Sequence, residues 1–225
     1  DPQVILPHNL PLTMLGLMLI FTGFYAFYAA CAVFQTTGPW MSIYLTPMTL
    51  SSLAFTVTMG FAGGAMGAFI ASRGEPYWTI SGGLAGMISI ASGLGVYHPG
   101  LGYLIGFAGG MIAVRFGNFL ERRGIDDAVG AIAVHGGAGL WSMLAMGLFA
   151  SGYPQHDLKT SLGGQLLGML IMVALGFVPG YLLSLILKLT NRLRISREDE
   201  LKGLDIAELG IEGVVPAGEL PLAND

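Results

Sequence analysis

Charged side chains are scarce in this chain of 225 residues, because Asp, Glu, Lys and Arg together make up only 11% of it. An ordinary soluble domain contains about 25% charged residues, whereas here 53% of the residues are hydrophobic and the mean hydropathy is +0.68. The 10 Lys and Arg residues against 14 Asp and Glu residues give a net charge of −4, which leaves no basic surface for nucleic-acid phosphates. The composition therefore excludes a disordered chain and a nucleic-acid-binding protein, and it predicts a membrane protein.

Residues and motifs of enzyme chemistry are equally scarce. Cys31 is the single cysteine, so it cannot form a disulfide within the chain. The sequence contains no nucleophile elbow and no CxxC metal pattern, and its glycine runs lie inside apolar stretches rather than in phosphate-binding loops. We therefore expect that the protein is not an enzyme and that it has no catalytic residue, no metal site and no cofactor.

Long uncharged stretches dominate the sequence instead. Apart from His8, residues 2–72 contain no ionisable His, Lys, Arg, Asp or Glu, and His98 is the one exception between residues 77 and 114. A membrane span needs roughly 20 apolar residues. We therefore predict an all-α polytopic membrane protein: a cytoplasmic lead-in at 1–9, a transmembrane domain at 10–190 and a cytoplasmic tail at 191–225. Its six transmembrane helices are expected at about 10–34, 47–71, 78–95, 100–119, 128–150 and 161–189.

Basic residues lie on one side of these predicted helices. Arg73 follows the second helix, Arg122 and Arg123 follow the fourth, and a basic group follows the sixth: Lys188, Arg192, Arg194, Arg197 and Lys202. The loops on the opposite side contain only Lys159 among Lys and Arg residues. Because basic loops stay in the cytoplasm, we expect a multi-pass protein of the plasma membrane, the inner membrane in a bacterium, with both ends of this chain cytoplasmic.

The 35 glycines predict how the helices pack. Small residues recur every four positions in the second, third and fourth helices: Gly60, Gly64 and Ala68; Gly63, Gly67 and Ala71; Gly82 and Gly86; Gly102, Gly106 and Gly110. Such ridges allow helix backbones to approach closely in lipid. The pattern therefore predicts a tightly packed bundle.

One ionisable side chain, His135, falls in the middle of the predicted fifth span. A polar group at this depth is costly and faces the bundle interior, which makes it a candidate functional residue. Its imidazole can relay a proton near neutral pH, although a hydrogen-bonded packing histidine fits the same pattern. No His, Cys or carboxylate lies three or four residues away, which disfavours a metal site. Asp126 and Asp127 precede this helix and are predicted to cap its N-terminus.

Four stretches of the chain resemble motifs of the Amt/Rh ammonium transporters, and they follow one another in the family's order. Residues 125–136, IDDAVGAIAVHG, resemble the IDDPxxxxxVHG stretch of that family. The other three are PHNLPL at 7–12, SGGLAG at 81–86 and KGLDI at 202–206. Together these motifs extend over essentially the whole chain.

The resemblance implies a fold of eleven helices built from two inverted five-helix repeats, usually a homotrimer with one pore per subunit. This chain would correspond to helices six to eleven and the cytoplasmic tail, so the upstream half would belong to the same or another chain. The implied partners are ammonium or ammonia, the lipid bilayer and a PII-type regulator. The regulator would meet a regulatory tail containing Gly203, Leu204 and Asp205.

The same resemblance assigns roles to pore residues. His135 corresponds to the second of two pore histidines, and Phe27 to a phenylalanine that gates the narrow pore. Phe24 takes the place of a pore tryptophan, and Cys31 that of a serine that helps bind ammonium outside. Tyr28 replaces the family's usual asparagine.

Two functions remain open at the level of sequence. The first is ammonium transport through a narrow hydrophobic pore, with His135 relaying a proton. The alternative is a non-conducting Amt-like sensor or accessory membrane subunit, favoured by substitutions at the outer mouth, namely Tyr28, Cys31, Ala91 and Ser92. Half of an unrelated secondary transporter would require the four ordered motifs to coincide by chance.

Overall fold

A computed structural model describes residues 9–32, 48–125, 127, 129–149 and 160–202. These residues form helices joined by turns, and no strand occurs among them. The α-helices are α1 (Leu10–Ala32), α2 (Leu50–Ser72), α3 (Pro76–Ile90), α4 (Pro99–Arg122), α5 (Ala138–Phe149), α6 (Leu162–Leu189) and α7 (Arg197–Lys202). A 3₁₀ turn (Ala91–Gly93) follows α3, and a π-helical segment (Ile132–Gly137) precedes α5. The prediction of an all-α polytopic fold is confirmed.

Five helical stretches in the described part of the chain are long and apolar enough to cross a membrane: α1, α2, α4, α6 and the combined stretch Ile132–Phe149. Helix α3 has only 15 residues, which at 1.5 Å per residue gives about 22 Å. The 3₁₀ turn adds about 6 Å at 2.0 Å per residue, so the two together approach the 30 Å hydrocarbon core of a bilayer. The third predicted span, at about 78–95, is therefore short as an α-helix, and it changes helix type before it ends.

The helix ends differ from the sequence-based bounds where local capping decides them. Helix α2 begins at Leu50 rather than near residue 47, because the Thr49 hydroxyl accepts the Ser52 N–H at 3.0 Å. Helix α3 begins two residues earlier than predicted, since Glu75 caps it and Pro76 occupies its first turn. It also ends at Ile90 instead of 95, where the chain tightens into the 3₁₀ turn.

The fifth and fourth helices show the same influence of local geometry. Gly130 has a φ of 66°, so the chain turns there and helix begins only at Ala131, three residues after the predicted start. Helix α4 runs slightly longer than predicted, from Pro99 to Arg122, and the Nδ1 atom of His98 accepts the Gly100 N–H at its start.

The chain divides into two compact units, residues 1–169 and 170–225. In the described part of the second unit, Pro179 lies within α6. After a turn in which Asn191 has a φ of 55°, α7 begins. The Ser196 hydroxyl donates to the Asp199 carboxylate at 2.6 Å and accepts the Asp199 N–H at 3.1 Å, which caps this short helix.

In the first unit, α2 packs against α3 on one side and against α4 on the other, with glycine at the contacts. A Cβ atom placed on Gly64 would meet the Gly82 carbonyl oxygen of α3 and lie 2.5 Å from the Gly86 Cα. A Cβ on Gly63 or Gly67 would meet a backbone carbonyl oxygen of α4, that of Tyr103 or Phe107. The predicted ridges are thus contact surfaces, and the predicted tight packing is confirmed.

A buried cluster fills one end of this bundle, where the segment after α3 folds inward. Tyr97 is 1% exposed, and its ring covers Gly93 of the 3₁₀ turn so closely that any Cβ there would overlap it. Residues of α1, α2, α4 and α5 join the cluster: Tyr28, Leu53, Val57, Ile105, Ala145 and Met146. Through Tyr28, this buried cluster lies next to the candidate pore residues Phe24 and Phe27 of α1.

Gly64→Ala is expected to destabilise the full-length protein by about 1–3 kcal/mol, the usual cost of overpacking a close contact. The reason is that the new methyl group must displace the α3 backbone rather than a flexible side chain. The thermal midpoint in a mild detergent measures the loss. Gly176→Ala is the control, because no atom lies within 4 Å of a Cβ built there. Equal midpoints for the two variants would contradict the role given to the α2–α3 contact.

Candidate functional site

His135 lies within the π-helical segment Ile132–Gly137. The Ala138 N–H donates to the Ala133 carbonyl oxygen five residues earlier, as in a π-turn. Short π-helical insertions are rare and frequently occur at functional sites. His135 is also the single ionisable side chain among residues 131–149. The segment therefore combines an unusual backbone with the one titratable group of this span.

The π-helical segment packs against α4 on the side away from His135. Ala133 lies beside Gly117, and Gly137 faces the Phe116 ring, while both Ala133 and Gly137 are buried. The His135 side chain is exposed. The described residues thus hold its helix but do not enclose its imidazole, and the interior passage expected around it is not formed by this part of the chain alone.

Asp127 fixes the start of this segment. Its carboxylate accepts the Ile132 N–H at 3.1 Å and the Ala133 N–H at 2.9 Å, while its carbonyl oxygen accepts the Gly130 N–H at 2.8 Å. These bonds satisfy backbone donors that a helix start leaves without intrahelical partners. The predicted capping role is confirmed for Asp127, and Asp126 lies outside the described residues.

A second set of polar contacts holds α5 further along. The Ser142 hydroxyl donates to the Ser92 hydroxyl at 3.0 Å and accepts the Ser92 N–H at 3.0 Å, which joins α5 to the 3₁₀ turn. The Trp141 indole N–H donates to the Ile105 carbonyl oxygen of α4 at 3.0 Å. Neither Ser142 nor Trp141 belongs to a motif that would predict these contacts. Both side chains can form hydrogen bonds and lie inside a predicted membrane span, but the sequence does not show which group each of them would bond.

The candidate gate residues form an aromatic cluster on α1, consisting of Phe24, Phe27 and Tyr28. The centroids of Phe24 and Phe27 are 5.7 Å apart, and Tyr28 lies 5.1 Å from Phe24 and 5.4 Å from Phe27. Phe27 is 56% exposed, whereas Tyr28 is 4% exposed and donates its hydroxyl to the Met87 carbonyl oxygen at 2.8 Å. The structure therefore brings the two phenylalanines together, beside a tyrosine that the resemblance marked only as a substitution at the outer mouth.

Cys31 lies one helical turn after Phe27 and is exposed. Residues four apart share a helix face, so the two side chains lie on the same side of α1. No hydrogen bond or ring contact in the described ranges connects this face with His135. The predicted pore residues thus form two separate groups in this structure, one on α1 and one in the π-helical segment.

Other predicted features fall outside the described part of the chain. These are the tail residues Gly203, Leu204 and Asp205. Among the residues that the structure describes, no group of three or more His, Cys, Asp or Glu side chains could hold a metal ion.

Comparison with known proteins gives one consistent result. The sequence profile of the Ammonium Transporter Family matches residues 1–214. Ammonium transporter Amt1 of Methanocaldococcus jannaschii is 31% identical over 209 residues, which cover 92% of this chain and 51% of that protein. Ammonium transporter Amt2 of Archaeoglobus fulgidus is 32% identical, over 99% of this chain and 50% of that protein. The chain thus spans about half the length of the curated relatives it matches.

A solved structure described as a sensor Amt protein superposes with a TM-score of 0.76 at 28% identity, over 89% of this chain and 49% of that one. The apolar helices and these matches together make the protein a multi-pass membrane protein. The chain belongs to the ammonium transporter family.

Proposed function

We propose that this chain is the second half of an ammonium transporter, in which ammonium or ammonia crosses the membrane through a narrow apolar pore and His135 relays a proton. The observation that carries this proposal is the position of His135: the single ionisable side chain of residues 131–149 lies in a π-helical segment held by Asp127. The relatives' names supply the substrate.

Electrostatics gives the reason for a proton relay. A full positive charge is costly in an apolar tube, as polar groups are in any hydrocarbon environment. Deprotonation at the outer mouth would leave neutral ammonia to cross past Phe27, while the proton moves separately. Imidazole suits that step, because it donates at one nitrogen and accepts at the other near neutral pH.

The exposure of the candidate residues supports a pore that a second half completes. His135 and Phe27 are both exposed on the described half, although polar groups inside a membrane face a bundle interior or a cavity. Inverted-repeat transporters place their sites at the interface between repeats. We infer that an upstream half, in the same or another polypeptide, covers these residues, and that three such units form a homotrimer in the plasma membrane.

The cytoplasmic tail would provide regulation. We assign Gly203, Leu204 and Asp205 to a segment that docks on the cytoplasmic face and binds a PII-type regulator. Basic residues on that side support the assignment of both ends of this chain to the cytoplasm, since Arg122, Arg123 and Lys202 are among them.

A non-conducting sensor is the second candidate function. The observation that favours it is the outer-mouth pair of substitutions, in which Tyr28 is buried beside the gate position and Cys31 is exposed one turn beyond it. A change at this outer ammonium-binding position would weaken the binding of ammonium. A protein that binds ammonium without carrying current would fit this second function.

His135→Ala is expected to lower the ammonium-dependent current of reconstituted full-length protein about 100-fold, the lower end of what a positioned acid–base group contributes. The cause would be loss of the proton relay rather than loss of packing, because the His135 side chain is exposed on this half. Current on a solid-supported membrane and the size of the detergent-solubilised particle are measured together.

The matched control is His98→Asn, because His98 is an exposed helix cap and asparagine caps equally well. This variant is expected to conduct like the wild type. Unchanged current in His135→Ala would remove His135 from the mechanism, and absence of current in the wild type would favour the sensor.

The 225-residue chain reconstituted alone is expected to carry no ammonium current, because one half supplies one wall of the pore. Full-length protein that includes the upstream half is expected to conduct as a threefold particle. Native mass spectrometry and flux assays on both preparations test this expectation. Current from vesicles that contain only this chain would refute it.

Truncation after Lys202 is expected to abolish binding of a purified PII-type protein and to reduce conduction, because it removes Gly203, Leu204 and Asp205. Co-purification and flux measurements test both effects. Leu209→Ala is the control for a change in the tail that keeps Gly203, Leu204 and Asp205. Residue 209 is chosen because the family's tail usually has a histidine there, which this chain lacks. Full binding and conduction after truncation would show that the tail has no docking role.

A further inference from the structure

In the described part of the chain, aromatic side chains of α1 pack against the buried cluster: Phe21, Phe24, Tyr25 and Tyr28. Among residues 10–31, Leu17 and Tyr28 are the two buried ones, and Tyr28 is the more buried at 4% exposure. Two hydroxyl groups make hydrogen bonds from α1 to other helices: Tyr28 to Met87 of α3, and Tyr25 to Thr58 of α2 at 2.6 Å. Of these two tyrosines, Tyr28 has the ring that contacts Phe27, whereas the Tyr25 ring contacts Phe21.

The Tyr28 hydroxyl donates to a carbonyl oxygen close to the end of α3. In a continuous α-helix the Met87 carbonyl oxygen would accept the Ala91 N–H four residues later. Because the chain tightens into the 3₁₀ turn at Ala91, that N–H goes to the Ile88 carbonyl oxygen instead. The Met87 carbonyl oxygen thereby loses the donor that a continuous α-helix would give it, and a buried carbonyl oxygen without a donor is costly. Tyr28 satisfies it from a helix 59 positions away in sequence.

The same ring supports the candidate gate. Tyr28 meets the Phe24 ring edge to face, with an interplanar angle of 78°, and it meets the Phe27 ring at 57°. Phe27 itself is 56% exposed on this half, and its ring contacts among the described residues are with Phe24 and Tyr28. Aromatic contacts of this kind have preferred geometries. A shift of the Tyr28 ring would therefore change the orientation of Phe27.

We propose that Tyr28 is the positioning residue for Phe27: its hydrogen bond to the Met87 carbonyl oxygen holds the Tyr28 ring against Phe27 and so couples the α3 break to the orientation of the gate. An effect of Tyr28 on which ions the pore conducts would rest on the proposed transport function. The placement of the Phe27 ring is a structural consequence that can be measured whether or not the protein conducts.

The first test observes Phe27 directly. Full-length protein carries 4-fluorophenylalanine at position 27 in lipid nanodiscs, and its ¹⁹F NMR spectrum is recorded. The Tyr28→Phe variant keeps the ring but removes the donor, and it is expected to shift or split the single resonance. Tyr25→Phe is the matched control, because it removes the other interhelical hydroxyl bond of α1, and its spectrum is expected to match the wild type. An unchanged resonance in Tyr28→Phe would overturn the proposal.

The second test measures selectivity in reconstituted protein. Tyr28→Phe is expected to raise the ratio of methylammonium flux to ammonium flux about fivefold, the population change that loss of one buried hydrogen bond produces. Tyr25→Phe should leave this ratio unchanged. Replacement of Tyr28 by 4-aminophenylalanine restores a donor at similar reach and should return the ratio to the wild-type value, which a purely structural defect would not do.

The two tests separate the proposals. Absence of ammonium flux in the wild type would overturn the transport function, and the ¹⁹F spectra would still decide the positioning role. A shifted resonance with an unchanged flux ratio, in protein that conducts, would overturn the link between Tyr28 and selectivity.

Discussion

The rest of this structure depends on contact between helix backbones at glycine. Helix α2 touches α3 through Gly60 and Gly64, and it touches α4 through Gly63 and Gly67, with carbonyl oxygens where larger residues would place side chains. Lipid supplies no hydrophobic driving force between helices, so close approach and van der Waals contact must hold them together. The arrangement is rigid for the same reason, because a backbone cannot yield to an added methyl group as a flexible side chain can. The other elements of the first unit are positioned by this three-helix core.

Around that core, side chains satisfy backbone groups wherever a helix changes type. Asp127 accepts the first N–H groups of the π-helical segment, and Tyr28 donates to the Met87 carbonyl oxygen where α3 becomes a 3₁₀ turn. Ser142 joins α5 to the same turn. Irregular backbone inside a membrane protein is tolerated only when such groups have partners. Both groups of candidate pore residues therefore lie beside a local departure from the α-helix, which the surrounding packing supports.

These departures give the proposed mechanism its geometry. The π-helical segment presents His135 on the face away from α4, while the aromatic cluster presents Phe27 on the exposed side of α1. The side chains of His135 and Phe27 are exposed, whereas neighbouring residues such as Ala133 and Tyr28 are buried. That arrangement suits a half-site whose other wall comes from elsewhere, and it explains why the described residues do not enclose the candidate pore by themselves.

The sequence by itself determined the features that depend on local pattern. Uncharged runs predicted the apolar helices, the four-residue spacing of glycines predicted the contact ridges, and Asp127 before an apolar stretch predicted a helix cap. Only the tertiary structure decided the end of α3 at Ile90, the π-helical segment around His135 and the burial of Tyr28. The burial of Tyr28 and the turn after α3 involve partners remote in sequence: Met87 lies 59 positions from Tyr28, and Ser142 lies 50 from Ser92. A local pattern shows whether a residue prefers an apolar environment. Which side chain donates to the Met87 carbonyl oxygen depends instead on how the helices pack against one another.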